Sequence, residues 1–427
     1  MSTVTTVSLQ GLLSRQGRRN PYPFYAELHR NGPVCRVDGK QDRFDIVVHG
    51  FDAVNTVLRD PTFRVVDAEY RDRGAAPWRH HPSLRVLSSS FMFTDGPDHH
   101  RVRRLYSQEF NPRRVAALEP AIVRMIDDLL DRIGTLGAGG QPVDFMAEFA
   151  LPLPSNVIGE LLGVPEADRP WFPPRVRSFG AILEVGPGMW RALQGADSAA
   201  EELLAYFADL AARRRAEPRD DLVSALVHAQ DDLALGEAEL LANLITLFNA
   251  GFVTTTHLIG NGLTLLLDRP DLLATMLAEP DRAPAYVEEI LRYEPPVQFL
   301  IRWAGEDTEL MGVPVPANSL VLVLLGAANR DPNRFADPDV FDPTRAAGPP
   351  AGGGSHSPPA GGGSYCQSLS FSGGLHYCIG AALSRLEGQM ALPMVFRRFP
   401  ELALAGPRGD QRNLMLRGYD RLPVRVA

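Results

Sequence analysis

The stretch from Glu237 to Leu267, "EAELLANLITLFNAGFVTTTHLIGNGLTLLL", constrains this chain more than any other. Apolar residues recur through it at three- and four-residue spacing, and the pattern stops at Asp268-Arg269-Pro270, where the proline blocks further helix. At 1.5 Å per residue, roughly thirty helical residues reach about 45 Å, the full width of a domain of this size. Such a helix has to be central, with the rest of the fold built around it. Its middle is nevertheless poor helix: Gly251 costs about 1 kcal/mol relative to alanine, and Thr254, Thr255 and Thr256 are three weak helix formers in succession.

Most of the chain between Glu119 and Leu291 also reads as helix, as in "AIVRMIDDLLDRIG", "AAEELLAYFADLAARRR" and "DDLVSALVHAQ". Strand-like, β-branched pieces lie elsewhere, in "FDIVVHG", "ELMGVPVPANSLVLVLL" and "RLPVRV". The expected class is mainly α with small β-sheets, α+β. With 427 residues, 45% of them hydrophobic, and neither a linker near the middle nor a solenoid repeat, the simplest organisation is one domain over 1–427. A low-complexity stretch at 346–367 repeats "PPAGGGS" and reads as a flexible surface loop. The start of the chain lacks a signal-peptide pattern and no uncharged apolar run suits a bilayer span, so the expectation is a soluble, cytoplasmic protein with no membrane partner. A net charge of -8 disfavours nucleic acid, although arginine is dense in "HHRVRRLYSQEFNPRRV". Three cysteines, Cys35, Cys366 and Cys378, at unrelated spacings argue against a disulfide framework and leave room for one functional thiol.

That thiol is best sought in "FSGGLHYCIG", Phe371 to Gly380, which opens into the helix-like "AALSRLEGQ". A cysteine at the first turn of a helix lies among unpaired N–H groups and the positive end of the dipole, both of which favour thiolate and make Cys378 a good anionic ligand. Gly373 and Gly374, lacking Cβ atoms, would let the backbone lie flat against a large planar partner. The segment resembles the haem-ligand loop of the cytochrome P450 family: Phe371, Gly374, His376, Cys378 and Gly380 fill its defining positions, Gly373 one of its small ones, and Ser372 stands where glycine is more usual.

Other signatures of that family recur in order. Glu289 and Arg292 in "EILR" resemble the Glu-x-x-Arg pair that ties a helix to the meander beneath the haem. Arg302, and His99 with Arg103 four residues on, resemble the family's propionate-binding residues, and with His376 they would give two buried anions charge-assisted donors. Ala250, Gly251, Thr254 and Thr255 resemble the oxygen site on the central helix. There the small pair leaves room for dioxygen, and Thr254 can bond back to the carbonyl of Ala250 and open the helix. Val253 replaces the acid usual in the family, so protons would have to travel through Thr254, Thr255, ordered water or a substrate hydroxyl. Pro393 is expected to kink or shorten the helix after Cys378.

The resemblance implies the cytochrome P450 fold, with haem (heme b) between the central helix and the helix after the Cys378 loop. It implies a monooxygenase that uses dioxygen to hydroxylate or epoxidise a hydrophobic small molecule, a polyketide- or macrolide-type secondary metabolite being the leading expectation. Electrons would come from a separate ferredoxin or flavodoxin with its NAD(P)H reductase, and Arg101, Arg104, Arg113 and Arg114 are candidates to meet that acidic partner. Substrate contacts are expected from Phe91, Phe93, Ile182, Asn249, Phe252, Val253, Val297, Phe299 and Tyr419. The competing readings are a haem-thiolate peroxygenase or a coupling or rearrangement enzyme, and, more remotely, a non-catalytic protein holding zinc through Cys366, His376 and Cys378.

Overall fold

In the computed structural model, which describes residues 5–38, 43–74, 77–184, 189–229, 235–345, 368–411 and 413–426, the central helix runs unbroken for 31 residues, Glu237–Leu267. The helices that position functional side chains are α1 (Gly96–Glu109), α2 (Pro152–Leu162), α3 (Phe172–Gly180), α4 (Glu237–Leu267), α5 (Ala283–Tyr293) and α6 (Ala381–Arg398). The chain folds as two units interleaved in sequence: Met1–Arg64, His257–Ala381 and Gly388–Asp420 form one, and Val65–Thr256, Ala382–Glu387 and Arg421–Ala427 the other. The low-complexity stretch 346–367, Cys366 included, lies outside the described residues.

The first unit carries strands β1 (Thr6–Val7), β2 (Val34–Val37), β3 (Ile46–Val48), β4 (Phe63–Arg64), β5 (Leu300–Ala304) and β6 (Leu320–Val323). Among the described residues these pair in the order β1-β2-β3-β6-β5-β4. β3 lies parallel to β6, with Ile46 opposite Val321 and Val48 opposite Val323, and β5 antiparallel to β6, with Arg302 opposite Val321. The β-branched side chains on one face join Phe51, Val54 and Val57 of the helix Phe51–Val57 in a single apolar cluster. The C-terminal part of α4 packs here against α5 and α6: a Cβ on Gly262 would meet Leu392 at 2.8 Å and Ile290 at 3.0 Å.

The second unit is helical. The helix Glu119–Leu136 buries Ile122, Ile126, Leu130 and Ile133, one stripe at helical spacing, as its sequence pattern requires. Phe172 of α3 stacks on Phe248 of α4 with ring centroids 4.1 Å apart, and Tyr206 and Phe207 close the cluster. The terminal strand Pro423–Arg425 pairs antiparallel with Val143–Asp144.

Two expectations need correction. α6 is not shortened by Pro393 but continues for 18 residues, because Leu392, Val395 and Phe396 around it are buried and their packing outweighs the roughly 3 kcal/mol helix penalty of proline. α4, by length and composition, is apolar enough to cross a membrane, yet 67% of its most apolar window is buried inside the protein, as befits a core helix.

Candidate active site

In the first unit the Cys378 loop is clamped at several points. Leu369 N–H donates to Asn329 Oδ1 (2.8 Å), Ser372 N–H to Leu369 O (2.9 Å) and Cys378 N–H to Phe371 O (2.9 Å). The cysteine stands two residues ahead of the helix cap Gly380, just outside the first turn of α6 where the sequence suggested it. Cysteine is among the most commonly buried residue types, yet Cys378 is exposed and outside any disulfide. A thiol held on so constrained a loop, beside the exposed ring of Tyr377, fits a large metal macrocycle seated over it.

The two glycines of the loop permit a close approach to a neighbouring segment. Gly374 adopts φ +60°, and a Cβ there would meet Leu58 O at 2.3 Å; at Gly373 it would meet Leu58 Cβ at 3.4 Å. Their bare faces let the loop lie against the Leu58–Arg59 backbone, and the clearance is toward protein. Ser372, at φ +62°, occupies the left-handed region where glycine is unstrained, with its Oγ buried and without a hydrogen-bond partner among the described residues.

Arg292 is fully buried, and each of its five N–H groups is used. Nε and Nη2 form a fork on Glu289 (2.8 and 2.7 Å), Nη1 donates to Asn329 O (2.9 Å) and Pro338 O (2.8 Å), and Nη2 donates again to Val340 O (3.0 Å). Glu289 Oε1 also accepts the amide of Asp342 (2.8 Å). The pair therefore ties α5 to the irregular segment 329–342 that leads toward the loop, and is no surface ion pair. Arg302, on β5, is also buried, with Nη1 on Ile301 O (2.9 Å), and His376 is half-buried.

In the second unit, Thr254 Oγ1 donates to Ala250 O at 3.1 Å, as its spacing suggested, but α4 stays closed around that bond. Gly251 faces α2: a Cβ there would lie 2.8 Å from Ile158 Cγ1, so the missing side chain serves helix packing. His99 is fully buried on α1 with its ring 5.9 Å from Phe91, and Arg103, one turn on, is half-buried. Arg101 is half-buried and bonded to Glu239, whereas Arg104, Arg113 and Arg114 are exposed, Arg114 with Glu109 and Asp220 as ion-pair partners.

Of the expected substrate residues, Phe91, Ile182, Asn249, Phe252 and Phe299 are buried, Phe299 completely, whereas Phe93, Val253, Val297 and Tyr419 are half-exposed. Phe91 stacks on Tyr106 at 5.3 Å and Phe252 packs on Phe248, which gives both an interior role. Asn249 differs from these neighbours: its Oδ1 is buried without a partner among the described residues, close to Gly180. Sequence reasoning missed Ser384 and Glu387. Ser384 Oγ is bonded by Thr255 Oγ1 at 3.1 Å, and Glu387 is a buried carboxyl. The signal for Glu387 was available, since it sits midway between Leu383 and Ala391 on the apolar stripe of α6.

A mainly helical chain with one 31-residue helix and an exposed cysteine on a clamped loop ahead of α6 has the form of a haem-thiolate protein. The family profile "Cytochrome P450" matches residues 4–403. The chain is 40% identical over 420 residues to 6-deoxyerythronolide B hydroxylase of Saccharopolyspora erythraea, covering 95% of this chain and 96% of that one. It is 37% identical over 408 residues to mycinamicin IV hydroxylase/epoxidase of Micromonospora griseorubida, covering 94% of each. A solved structure of P450BioI in complex with hexadec-9Z-enoic acid-ligated acyl carrier protein superposes with a TM-score of 0.84 at 32% identity, covering 96% of this chain and 100% of that one. The chain belongs to the cytochrome P450 family. It is a monooxygenase that uses haem with a cysteine thiolate as axial ligand, takes dioxygen and electrons from redox partners, and acts on small molecules.

Proposed function

We propose that Cys378 is the axial ligand and that this chain hydroxylates or epoxidises a sizeable hydrophobic secondary metabolite of the polyketide or macrolide class. The observation that carries the reading is the exposed thiol of Cys378 on a loop held at Phe371, Leu369 and Leu58. The two relatives named for macrolide oxidation, at 40% and 37% identity over nearly the whole chain, support the substrate class. When bound, thiolate-ligated haem supplies electron density that favours O–O cleavage.

The remaining work falls to side chains of this chain. His99, Arg103, Arg302 and His376 hold the haem propionates by charge-assisted hydrogen bonds. Thr254, tethered to Ala250 O, keeps a hydroxyl in place on α4 for dioxygen or water, with Thr255 beside it. Phe93, Val253, Val297 and Tyr419 present apolar or aromatic surface to substrate, and Asn249 offers it one polar contact. Arg101, Arg104, Arg113 and Arg114, the last three exposed, meet an acidic ferredoxin or flavodoxin carrying electrons from its NAD(P)H reductase. The protein works in the cytoplasm as one functional domain. Screening macrolides and their polyketide precursors for a substrate-induced spin-state shift, followed by turnover with NADPH and a ferredoxin pair, tests this reading. Product from at least one such compound is expected, at a higher yield than with hydrogen peroxide as sole oxidant; better turnover with peroxide would overturn the monooxygenase cycle proposed for this chain.

A further inference from the structure

Within the second unit, the short helix Ala68–Asp72 and the turn Trp78–His80 border an open cavity of about 300 Å³ whose walls include Arg71, Asp72, Trp78, Arg79 and His80. That volume lies at the small end of ligand sites. Both walls are pinned. Asp67 caps the helix, its Oδ1 accepting Tyr70 N–H (2.9 Å). On the other side Arg85 Nη1 donates to Arg79 O (2.8 Å), and His81 Nδ1 is bonded to Asp197 Oδ2 (2.7 Å).

The acids around this cavity are already occupied. Arg79 forks onto both oxygens of Asp72, with Nη2 2.6 Å from Oδ2, and Trp78 Nε1 donates to Oδ1 (2.8 Å). Those donors, Arg79 foremost, hold the Asp72 carboxyl below its ordinary range. Glu69 is taken by Arg73 (2.6 Å), and Asp67 is buried as the helix cap. Arg73, Arg79 and Arg85 thus each donate to an oxygen. Arg71 is the exception: its Nε is buried without a hydrogen-bond partner, and no carboxylate forms an ion pair with it among the described residues. Burial pulls its pKa down more strongly than the charge of Asp67 raises it. A guanidinium carries five donors in one plane, and a dry, unpaired one costs stability until an acceptor arrives.

We propose that this cavity binds the anionic group of a small organic acid, a carboxylate or a phosphate, through Arg71. Two oxygens of such a group match the fork of Nε and one Nη, which a single-point cation would not offer. Trp78 gives the rest of the ligand an apolar wall, kept in place by the Arg79 guanidinium 4.4 Å from its ring centroid. The site uses neither Cys378 nor the threonines of α4, so it stands or falls separately from the reading of the haem site.

Isothermal titration of the holoprotein at low ionic strength with benzoate, its neutral analogue benzamide and inorganic phosphate tests the proposal. At least one of the two anions is expected to bind, and the tighter of them tells carboxylate from phosphate. Benzamide should bind about tenfold more weakly than benzoate or not at all. Arg71→Gln should weaken the anion about tenfold, whereas Arg132→Gln, which removes an exposed arginine paired with Glu148, should leave it unchanged. A change in tryptophan fluorescence on anion binding that disappears in Trp78→Phe gives a second reading, independent of how well Arg71→Gln folds. The proposal is overturned if neither anion binds, if benzamide equals a benzoate that is the tighter anion, or if binding is indifferent to Arg71→Gln. Benzoate that shifts the haem spin state equally in wild type and Arg71→Gln occupies the haem pocket instead, which also overturns it.

Discussion

Replacing Arg292 by lysine keeps the charge and removes the fork, and the structure fixes what that should cost. The guanidinium makes five hydrogen bonds of 2.7–3.0 Å at zero exposure, two of them to Glu289 and three to carbonyls of the 329–342 segment. An ammonium has three donors on a single atom and cannot reach acceptors spread around a planar fork, so at least two acceptors are left buried and unpaired. At about 1–3 kcal/mol for each, the loss is about 2–6 kcal/mol, which spans the range for breaking a buried ion pair. Urea unfolding followed by far-UV circular dichroism reads it directly: with m about 3 kcal/mol per M, the midpoint should fall by roughly 1 M. The pair Arg73–Glu69, with side chains 44% and 49% exposed, is the internal control, and Arg73→Lys should move stability by less than about 0.5 kcal/mol. If Arg292→Lys is as mild as Arg73→Lys, the fork does not hold the segment and the reasoning fails.

The neighbouring loop offers a paired test. Gly374→Ala should abolish stable haem incorporation, because φ is +60° and the new methyl would meet Leu58 O at 2.3 Å. Gly373→Ala, at φ -156° with its nearest contact at 3.4 Å, should incorporate haem normally, and equal behaviour of the two by haem titration would contradict the clamp. Ser372→Gly should raise the urea stability by about 1 kcal/mol, since it relieves the left-handed backbone and removes a buried hydroxyl that has no partner; a loss of stability would show that the hydroxyl is useful. Asp197 is partly buried, which alone would raise its pKa, but hydrogen bonds from Ser83 Oγ (2.6 Å), His81 Nδ1 (2.7 Å) and Ser83 N–H (3.1 Å) outweigh burial and hold it below its ordinary 3.8. Its contribution is therefore complete above that pH and lost as pH falls below it, so acid unfolding curves of wild type and Asp197→Asn should differ above pH 3.8 and converge toward lower pH; a constant difference would refute the assignment.

Periodicity and motif together made most of the fold readable. α4 has the bounds expected of it because thirty-one residues of apolar spacing end at a proline, and β3, β6 and the strand Pro423–Arg425 lie in the β-branched runs, whereas β1, β2, β4 and β5 lie outside them. What the sequence hid were interactions between segments far apart. No local pattern says that Gly374 faces the Leu58 carbonyl, that Gly251 faces Ile158, or that Arg292 reaches Pro338 and Val340. The same holds for Thr255, whose partner lies 129 residues away. At Pro393 the reverse holds: local chemistry predicts a kinked or shortened helix, and the burial of Leu392, Val395 and Phe396 carries α6 on to its full length. Glu387 was passed over because a lone acid in a helix reads as a solvated residue until its burial is known.

The account stands most directly on the bond between the Cys378 sulfur and haem iron, and absorption spectroscopy of the reduced protein under carbon monoxide examines that bond alone. A Soret band displaced to the red in wild type, retained in Cys35→Ser and lost in Cys378→Ser, is the predicted result. A band at the unshifted position in wild type, or a shifted band that survives Cys378→Ser, would contradict it.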